Sequence, residues 1–519
     1  MCADKVSEVI MAGMEAYIPF SHYSSSKSKP WFDSTCSEAI SQRDEAFRSW
    51  QQDKSEANHS SYIASRNRAK ATLRKAKHNF LKKKCGDLSA STSDNSLWSL
   101  AKNLSHNFCK SSFPPLFDSD GFIATCPKEK ANLFGRLFSA NSTLNTSNLT
   151  PPIKSELSNP MPQFFISSKL VRKFLKALKV KKAHGPDGVP PRVLRECADE
   201  LAPTLAHLFR RCMSSRMFPA SWKHALVHPI PKKGDRSNPS NYRPIALTSS
   251  ISKLFESILN TQILKHLERC KKLSDHQYGF RKARSTGDLL SYVTHLWSTS
   301  LRDHGESFVV ALDISKAFDR VWHEALLAKL PSFGIPPSLC DLISSFLSDR
   351  SIAVVVDGYV SSSFRTNSGV PQGSVLSPTL FLLFINDLLV STSNAVHSYA
   401  DDSTLHSSSH FAHRPSSVAL EESRLQQTHS LFSDLEAISE WGTRNCVQFN
   451  SKKTQFLPIS LKRNLNNLQL FFESSPLVPQ ESINILGVTV RHDLSWRPHI
   501  MAIAKTASKK LGILANWLR

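Results

Sequence analysis

"AVHSYADDSTLHSS", residues 395–408, brings two short β-compatible runs together at a pair of adjacent acids, Asp401 and Asp402. Two carboxylates side by side at a hairpin tip make an electronegative pocket, which is costly to hold together unless divalent cations neutralise it. Chemistry that joins a nucleotide to a growing strand uses such a pocket: two metal ions held by carboxylates clamp the attacking and leaving oxygens. The string Tyr399-Ala400-Asp401-Asp402 also arises by chance, so its reading turns on what surrounds it.

A third acid lies upstream, in "SFVVALDISKAFDRVW", residues 307–322. Phe308 to Leu312 is a continuous apolar run with β-branched residues, the pattern of a strand buried on both faces. Asp313 ends that run, where a carboxylate is poorly solvated and has to be paired, protonated or metal-bound. The residues that follow carry helical periodicity, so Asp313 taken alone is equally a helix N-cap. With Asp401 and Asp402 available to converge on it, the ligand reading prevails.

Between these acids, "SGVPQGSVLSPTLFLLFINDL" (residues 368–388) enforces a tight backbone at Gly369, Pro371 and Gly373 before an apolar stretch from Leu380 begins a helix. Ahead of it, "IAVVVDGYVSSSFRT" (residues 352–366) reads as a hairpin turning at Asp357-Gly358. At this point the chain resembles the reverse transcriptases of non-LTR (LINE-type) retrotransposons, close to the jockey-like elements. The match runs in order through "IPKKGD", "NYRPIALTSSISKLFESIL", "QYGFRKARST", "ALDISKAFDRVW", "SGVPQGSVLSP", "SYADD", "NSKKTQF" and "ILGVTV", within residues 165–500. The strings "SKAFDRVW" and "GFRKARST" side with LINE elements rather than with group II intron or telomerase-type polymerases.

The resemblance implies an α+β right-hand polymerase fold, with helical fingers and an antiparallel-sheet palm, preceded by a helical N-terminal region. It implies that Asp313 and Asp401 bind two Mg²⁺ ions (Mn²⁺ is a possible substitute), with Asp402 close by and the main-chain carbonyl of Ile314 as a further ligand. Mg²⁺ fits such a site because it takes oxygen ligands and is completed by substrate phosphates. Phe318 matches the steric-gate position that blocks a ribose 2′-OH; from pattern alone it is equally a core ring on an amphipathic helix. For neighbouring Asp319 a structural salt bridge is the safer expectation. Lys232 and Arg243 match the residues that hold the triphosphate, a task for cations because phosphoryl transfer is largely positioning and charge neutralisation. Lys233 competes with Lys232 for that place. Gln372 matches the glutamine that packs near the nascent base pair. Lys453 matches the lysine that protonates the leaving pyrophosphate, a role that asks for a lowered pKa; a solvated lysine is the alternative. The implied partners are an RNA template, a DNA primer and dNTPs.

Composition agrees. Of 519 residues, 65 are Lys or Arg and 43 Asp or Glu, a net charge of +22 that favours a polyanionic partner with salt-sensitive affinity. The run "RNRAKATLRKAKHNFLKKK", residues 66–84, carries bases without acids and apolar residues at helical spacing. It reads as a basic helix touching nucleic-acid backbone through Arg68, Lys70, Arg74, Lys75, Lys77, Lys82, Lys83 and Lys84. A solvated surface helix is the plainer reading, and a membrane-surface helix a more distant one. Ten cysteines show no Cys-x-x-Cys or zinc-knuckle spacing and are expected to be reduced and mostly buried. His406 and His410 lack further ligands in view, so no zinc site is assigned. There is no evident signal peptide, and no apolar run is long enough to span a bilayer. The expectation is a soluble intracellular protein of cytoplasm or nucleus, with no membrane partner.

Residues 1–110 are expected to be helical and resemble the segment linking endonuclease to polymerase in LINE proteins. Residues 111–164 read as a connector with a short helix near Lys130 to Phe138. Fingers are expected over 165–300, palm over 301–460, and the end of the palm with the start of a truncated thumb over 461–519. "INILGVTV", residues 483–490, matches a strand leading into the thumb, and a basic helix is expected from His499. From these residues, a segment with room for the family's endonuclease is not expected. Two readings follow: an RNA-directed DNA polymerase, or a catalytically silent nucleic-acid-binding remnant of such an element.

Overall fold

The computed structural model describes residues 2–19, 29–89, 113–118, 120–147, 149–232, 234–462 and 469–518. Mixed helix and sheet, as the α+β reading requires, divide between two compact units: residues 1–18 with 113–499, and residues 19–112 with 500–519. Helix α1 (Cys2–Tyr17) belongs to the larger unit, whose main core takes in Ala3 and Ile10.

In the smaller unit, α2 (Ser34–Gln52) and α3 (Glu56–Ser89) pack along one another. Asp33 starts α2 by accepting the Cys36 N–H at 3.0 Å, which satisfies an otherwise orphaned first-turn donor. Across the connection, Trp50 stacks on Tyr62 at 5.6 Å and Phe47 lies 5.1 Å from the same ring. The basic run is helical, as expected. Arg68, Lys70, Arg74, Lys75, Lys82, Lys83 and Lys84 are exposed and Lys77 is half-buried, while Ala69 and Leu81 are buried.

The further helices are α4 (Pro127–Asn141), α5 (Ser168–Lys176), α6 (Pro191–Glu196), α7 (Ala198–Ser215), α8 (Ser250–Arg269), α9 (Thr286–Arg302), α10 (His323–Lys329), α11 (Pro337–Leu347), α12 (Ser377–Ile385), α13 (Ser417–Asn445) and α14 (Arg497–Leu518). The strands that matter here are β1 (His224–Pro231), β2 (Tyr242–Leu247), β3 (Ser307–Leu312), β4 (Arg350–Val356), β5 (Tyr359–Val360), β6 (Phe364–Thr366), β7 (Ala395–Tyr399), β8 (Asp402–Ser408) and β9 (Gln455–Ile459).

One sheet has the order β2-β1-β4-β5, with β6 also on β4; β1 and β4 run parallel and the other pairs antiparallel. The expected hairpin turns at Asp357 and Gly358, which both take positive φ (+48° and +87°), the backbone a two-residue turn of this hand needs. α4 covers this sheet, burying Phe134 and Phe138 against Ala225, Val227, Val354 and Val356. The helix expected near Lys130 to Phe138 is therefore present, but as part of a packed core.

The second sheet, β9-β3-β8-β7, is antiparallel throughout. Side chains alternate across β3 as a period of two requires. Phe308, Val310 and Leu312 enter the main core, while Val309 joins Leu457 of β9 and Leu289, Val293 and Trp297 of α9. The strand is buried on both faces, as its unbroken apolar run predicts.

One alternative is excluded and two expectations are corrected. No helix starts at Asp313: residues 315–319 form turns, Lys316 has φ +52°, and α10 begins at His323, which excludes the N-cap alternative. Residues 483–490 are not one strand. They fold as a hairpin, Ser482–Ile485 against Val488–Arg491, because Leu486 and Gly487 both take positive φ. The described cysteines are free, but only Cys36, Cys212 and Cys340 are buried, with Cys126 and Cys197 exposed. No helix among the described residues is long and apolar enough to cross a membrane.

Candidate active site

The acids meet because of register. Ser403 of β8 pairs with Leu312 of β3, so Asp402 and Asp313 leave the same end of two neighbouring strands. Tyr399 pairs with Asp402, leaving Ala400 and Asp401 as a two-residue turn with Ala400 at φ +61°. Burial raises the Asp401 carboxyl above the usual range, Asp313 adding to that and Arg243 opposing it. Surrounding protein pushes Asp402 up to about 6, and the charges of Asp401 and Asp313 add to the shift. Part of the Asp402 surface nevertheless stays open to solvent, which leaves a path for a cation. Lys453, exposed on the turn before β9, places Nζ 3.8 Å from Asp313 Oδ2.

Ile314 pairs with Phe449 through bonds on either side of it: Ser315 N–H donates to Gln448 O and Asn450 N–H to Asp313 O, each at 2.8 Å. That pattern leaves the Ile314 carbonyl unused by the neighbouring strand, as a ligand role requires. Among the described residues no three His, Cys, Asp or Glu side chains already surround one metal-sized point. The trio is an open, mutually repelling arrangement rather than a closed cage, and a divalent ion with ligands of its own suits it.

Two cations overlook the acids from the other sheet. Arg243 projects from β2 opposite Ile230, and Lys232 follows β1, its N–H donating to Asn241 O at 2.7 Å. Burial lowers the Lys232 ammonium pKa, and the charges of Arg243 and Lys453 lower it further while Asp319 opposes. Lys232, Arg243, Lys453 and the acids thus share one electrostatic neighbourhood. Lys233 lies outside the described residues.

Phe318 stacks on Phe381 of α12 at 4.5 Å and meets the edge of Phe280 at 6.0 Å. Its backbone carbonyl accepts the Val370 N–H at 2.7 Å, joining it to the Gly-Pro loop. Gly369 is required there, since a Cβ would come within 2.5 Å of the Asp319 carbonyl oxygen. Asp319 does not form the expected salt bridge. Asp319 is half-buried; its carboxylate accepts Gln372 Nε2–H at 2.7 Å, and desolvation by the surrounding protein pushes its pKa up. With Nε2 as the donor, this bond turns the Gln372 amide nitrogen toward Asp319 and its oxygen away from it. The two side chains and Arg350 line a cavity of about 60 Å³.

Two supporting residues escaped sequence reasoning. Glu256 of α8 is buried and accepts Val375 N–H at 2.7 Å and Leu376 N–H at 3.3 Å, as well as the Ser374 hydroxyl, at the start of α12. A carboxylate at a helix start satisfies orphan donors and favours the dipole. Gln277, in the block "QYGFRKARST", bonds to the acid-bearing turn. A Gly two residues after it was the signal, because a glycine flanked by bulky residues often marks close backbone approach. The bases on α3 belong to the smaller unit.

Residues 230–490, about half of the chain, match the family model "Reverse transcriptase (RNA-dependent DNA polymerase)". The chain is 28% identical over 375 residues to the RNA-directed DNA polymerase from mobile element jockey of Drosophila melanogaster, covering 70% of this chain and 39% of that protein. It is 27% identical over 467 residues to the probable RNA-directed DNA polymerase from transposon BS of the same organism, covering 86% and 49%. The jockey polymerase of Drosophila funebris is 30% identical over 350 residues, covering 67% and 37%. The chain thus spans less than half the length of these relatives. They bear out the LINE-type, jockey-like resemblance of the motifs, and the chain belongs to the reverse transcriptase (RNA-dependent DNA polymerase) family.

Proposed function

We propose that this chain is the RNA-directed DNA polymerase of a non-LTR retrotransposon, extending a DNA primer with dNTPs on an RNA template. The observation that carries the reading is the convergence of Asp313, Asp401 and Asp402 at one sheet end, overlooked by Lys232, Arg243 and Lys453. The family generally uses divalent metal ions. Here Asp313, Asp401, Asp402 and the Ile314 carbonyl would hold two Mg²⁺, which neutralise charge on the reacting phosphates. The protein's own groups do the rest. Lys232 and Arg243 bind and orient the triphosphate. Phe318, backed by Phe381, excludes a 2′-OH. Gln372, fixed by Asp319, lies against the nascent base pair. Lys453 stands where it can give a proton to the leaving pyrophosphate. In this reading residues 165–300 act as fingers, 301–460 as palm and 461–519 as palm end and thumb start. Residues 1–110 form the linking region, 111–164 the connector, and the protein works inside the cell.

The test is dTTP incorporation on poly(rA)–oligo(dT) with Mg²⁺, beside an Asp401→Asn form. Loss of one such charge-stabilising group should cut the rate by about a hundredfold or more. Equal incorporation by the variant would place the chemistry elsewhere. A wild-type protein that binds primer–template without extending it would point to the silent remnant.

A further inference from the structure

We propose that Gln277 is a positioning residue that sets the Ala400–Asp401 turn and, through it, the carboxylates of Asp401 and Asp402. The proposal rests on the reading of those acids given above. Gln277 is 1% exposed, and its Oε1 accepts two backbone donors, Gly279 N–H at 2.8 Å and Ala400 N–H at 3.0 Å. Two converging N–H groups fix which end of the amide faces the turn. The buried Nε2 has no hydrogen-bond partner, so the side chain is placed for its acceptor.

The loop around Gln277 is built as a rigid support. Ser398 N–H donates to His276 O and Tyr278 N–H to Ser398 O, each at 2.9 Å, so the loop extends the free edge of β7. The Gln277 carbonyl accepts from Arg281 at 3.3 Å and Arg284 at 3.2 Å, and these arginines are themselves tied to Glu268 and Asp275. Gly279 permits the approach, because a Cβ would lie 2.3 Å from the Ala400 nitrogen.

Ala400 supplies the need for such a support. At φ +61° it occupies a region that residues other than glycine adopt only at a cost. Its N–H would also be an orphaned buried donor without Gln277. One acceptor therefore answers both the strain and the unmet bond of the residue next to Asp401.

In the wild-type protein the Ala400 amide should exchange slowly with deuterium; fast exchange there overturns the proposal without any variant. Gln277→Met keeps the volume and removes the acceptor. It should lower dTTP incorporation on poly(rA)–oligo(dT) by about tenfold or more and raise the Mg²⁺ concentration for half-maximal rate, with primer–template affinity unchanged. Adding Ala400→Gly should recover part of the loss, because glycine reaches the same φ unaided while its N–H stays without the Gln277 acceptor. General damage to the fold would not be repaired by a second substitution in the turn. A fully active Gln277→Met protein overturns the proposal, as does a double variant no better than the single one. If Asp401→Asn keeps wild-type incorporation, the catalytic reading fails instead. Ala400 exchange in wild type and Gln277→Met then decides alone whether Gln277 holds the turn.

Discussion

Phe318 shows how a single ring is held at a site without belonging wholly to the core. It is half-buried, stacked on Phe381, and joined through its carbonyl to the loop that carries Gln372. Its two roles, packing and exclusion of a 2′-OH, make different predictions. Phe318→Val should raise ribonucleotide use relative to deoxynucleotide use by about tenfold or more, since the steric penalty on one hydroxyl is removed. It should cost about 1–3 kcal/mol of stability through poorer packing, less than full truncation of a buried ring. Competition between rUTP and dTTP, with a urea titration of the same protein, reads both. Unchanged sugar discrimination would leave Phe318 as packing alone.

The sheet that carries the acids has its own chemistry on the face covered by α9. His397 of β7 and His406 of β8 stack at 5.2 Å, with Tyr292 and Trp297 of α9 against them and His276 4.5 Å from His397. Burial pushes His397 down to about 3, with the other two imidazoles adding, and His406 down to about 4. An unfolded histidine titrates near 6.5. Between about pH 6.5 and 4 the unfolded chain therefore binds protons that these rings refuse. Stability is full above that window and falls as the pH drops through it, by about 1.4 kcal/mol per pH unit for each ring. Urea unfolding at pH 7 and pH 5 should show this loss, and His406→Phe should remove about half of it. An equal pH slope in the variant would assign the acid sensitivity to other groups.

At the scale of the molecule, a net charge of +22 is distributed so that α3 in the smaller unit carries a run of exposed bases. We propose that this run contacts nucleic-acid backbone. Exchanging Arg68, Lys70, Arg74 and Lys75 for Gln should weaken single-stranded RNA binding and flatten the plot of log affinity against log salt, by about 0.7 for each phosphate no longer neutralised. Polymerase activity at saturating primer–template should survive, because the four substituted residues belong to a different unit of the chain from the acids. An unaltered salt slope would return α3 to the role of a solvated helix.

The family, the sheet-buried strand before Asp313, the hairpin at Asp357-Gly358 and the acids at a turn were all legible along the chain. Each is written in local terms: an unbroken apolar run, turn residues with the right φ, and motifs in order. What depends on distant partners had to wait for the folded chain. Asp313 is a strand-end acid rather than a helix cap because residues 315–319 turn before α10 begins. Asp319 bonds to Gln372 rather than to a base because the Gly369 loop passes directly over its backbone. Leu486, which has no sequence mark of a turn residue, takes positive φ and splits an apparent strand into a hairpin. Gln277 and Glu256 reach backbone N–H groups more than a hundred residues away in the chain. Such bonds leave no periodicity to read, because the acceptor is chosen by approach in space and not by spacing along the chain.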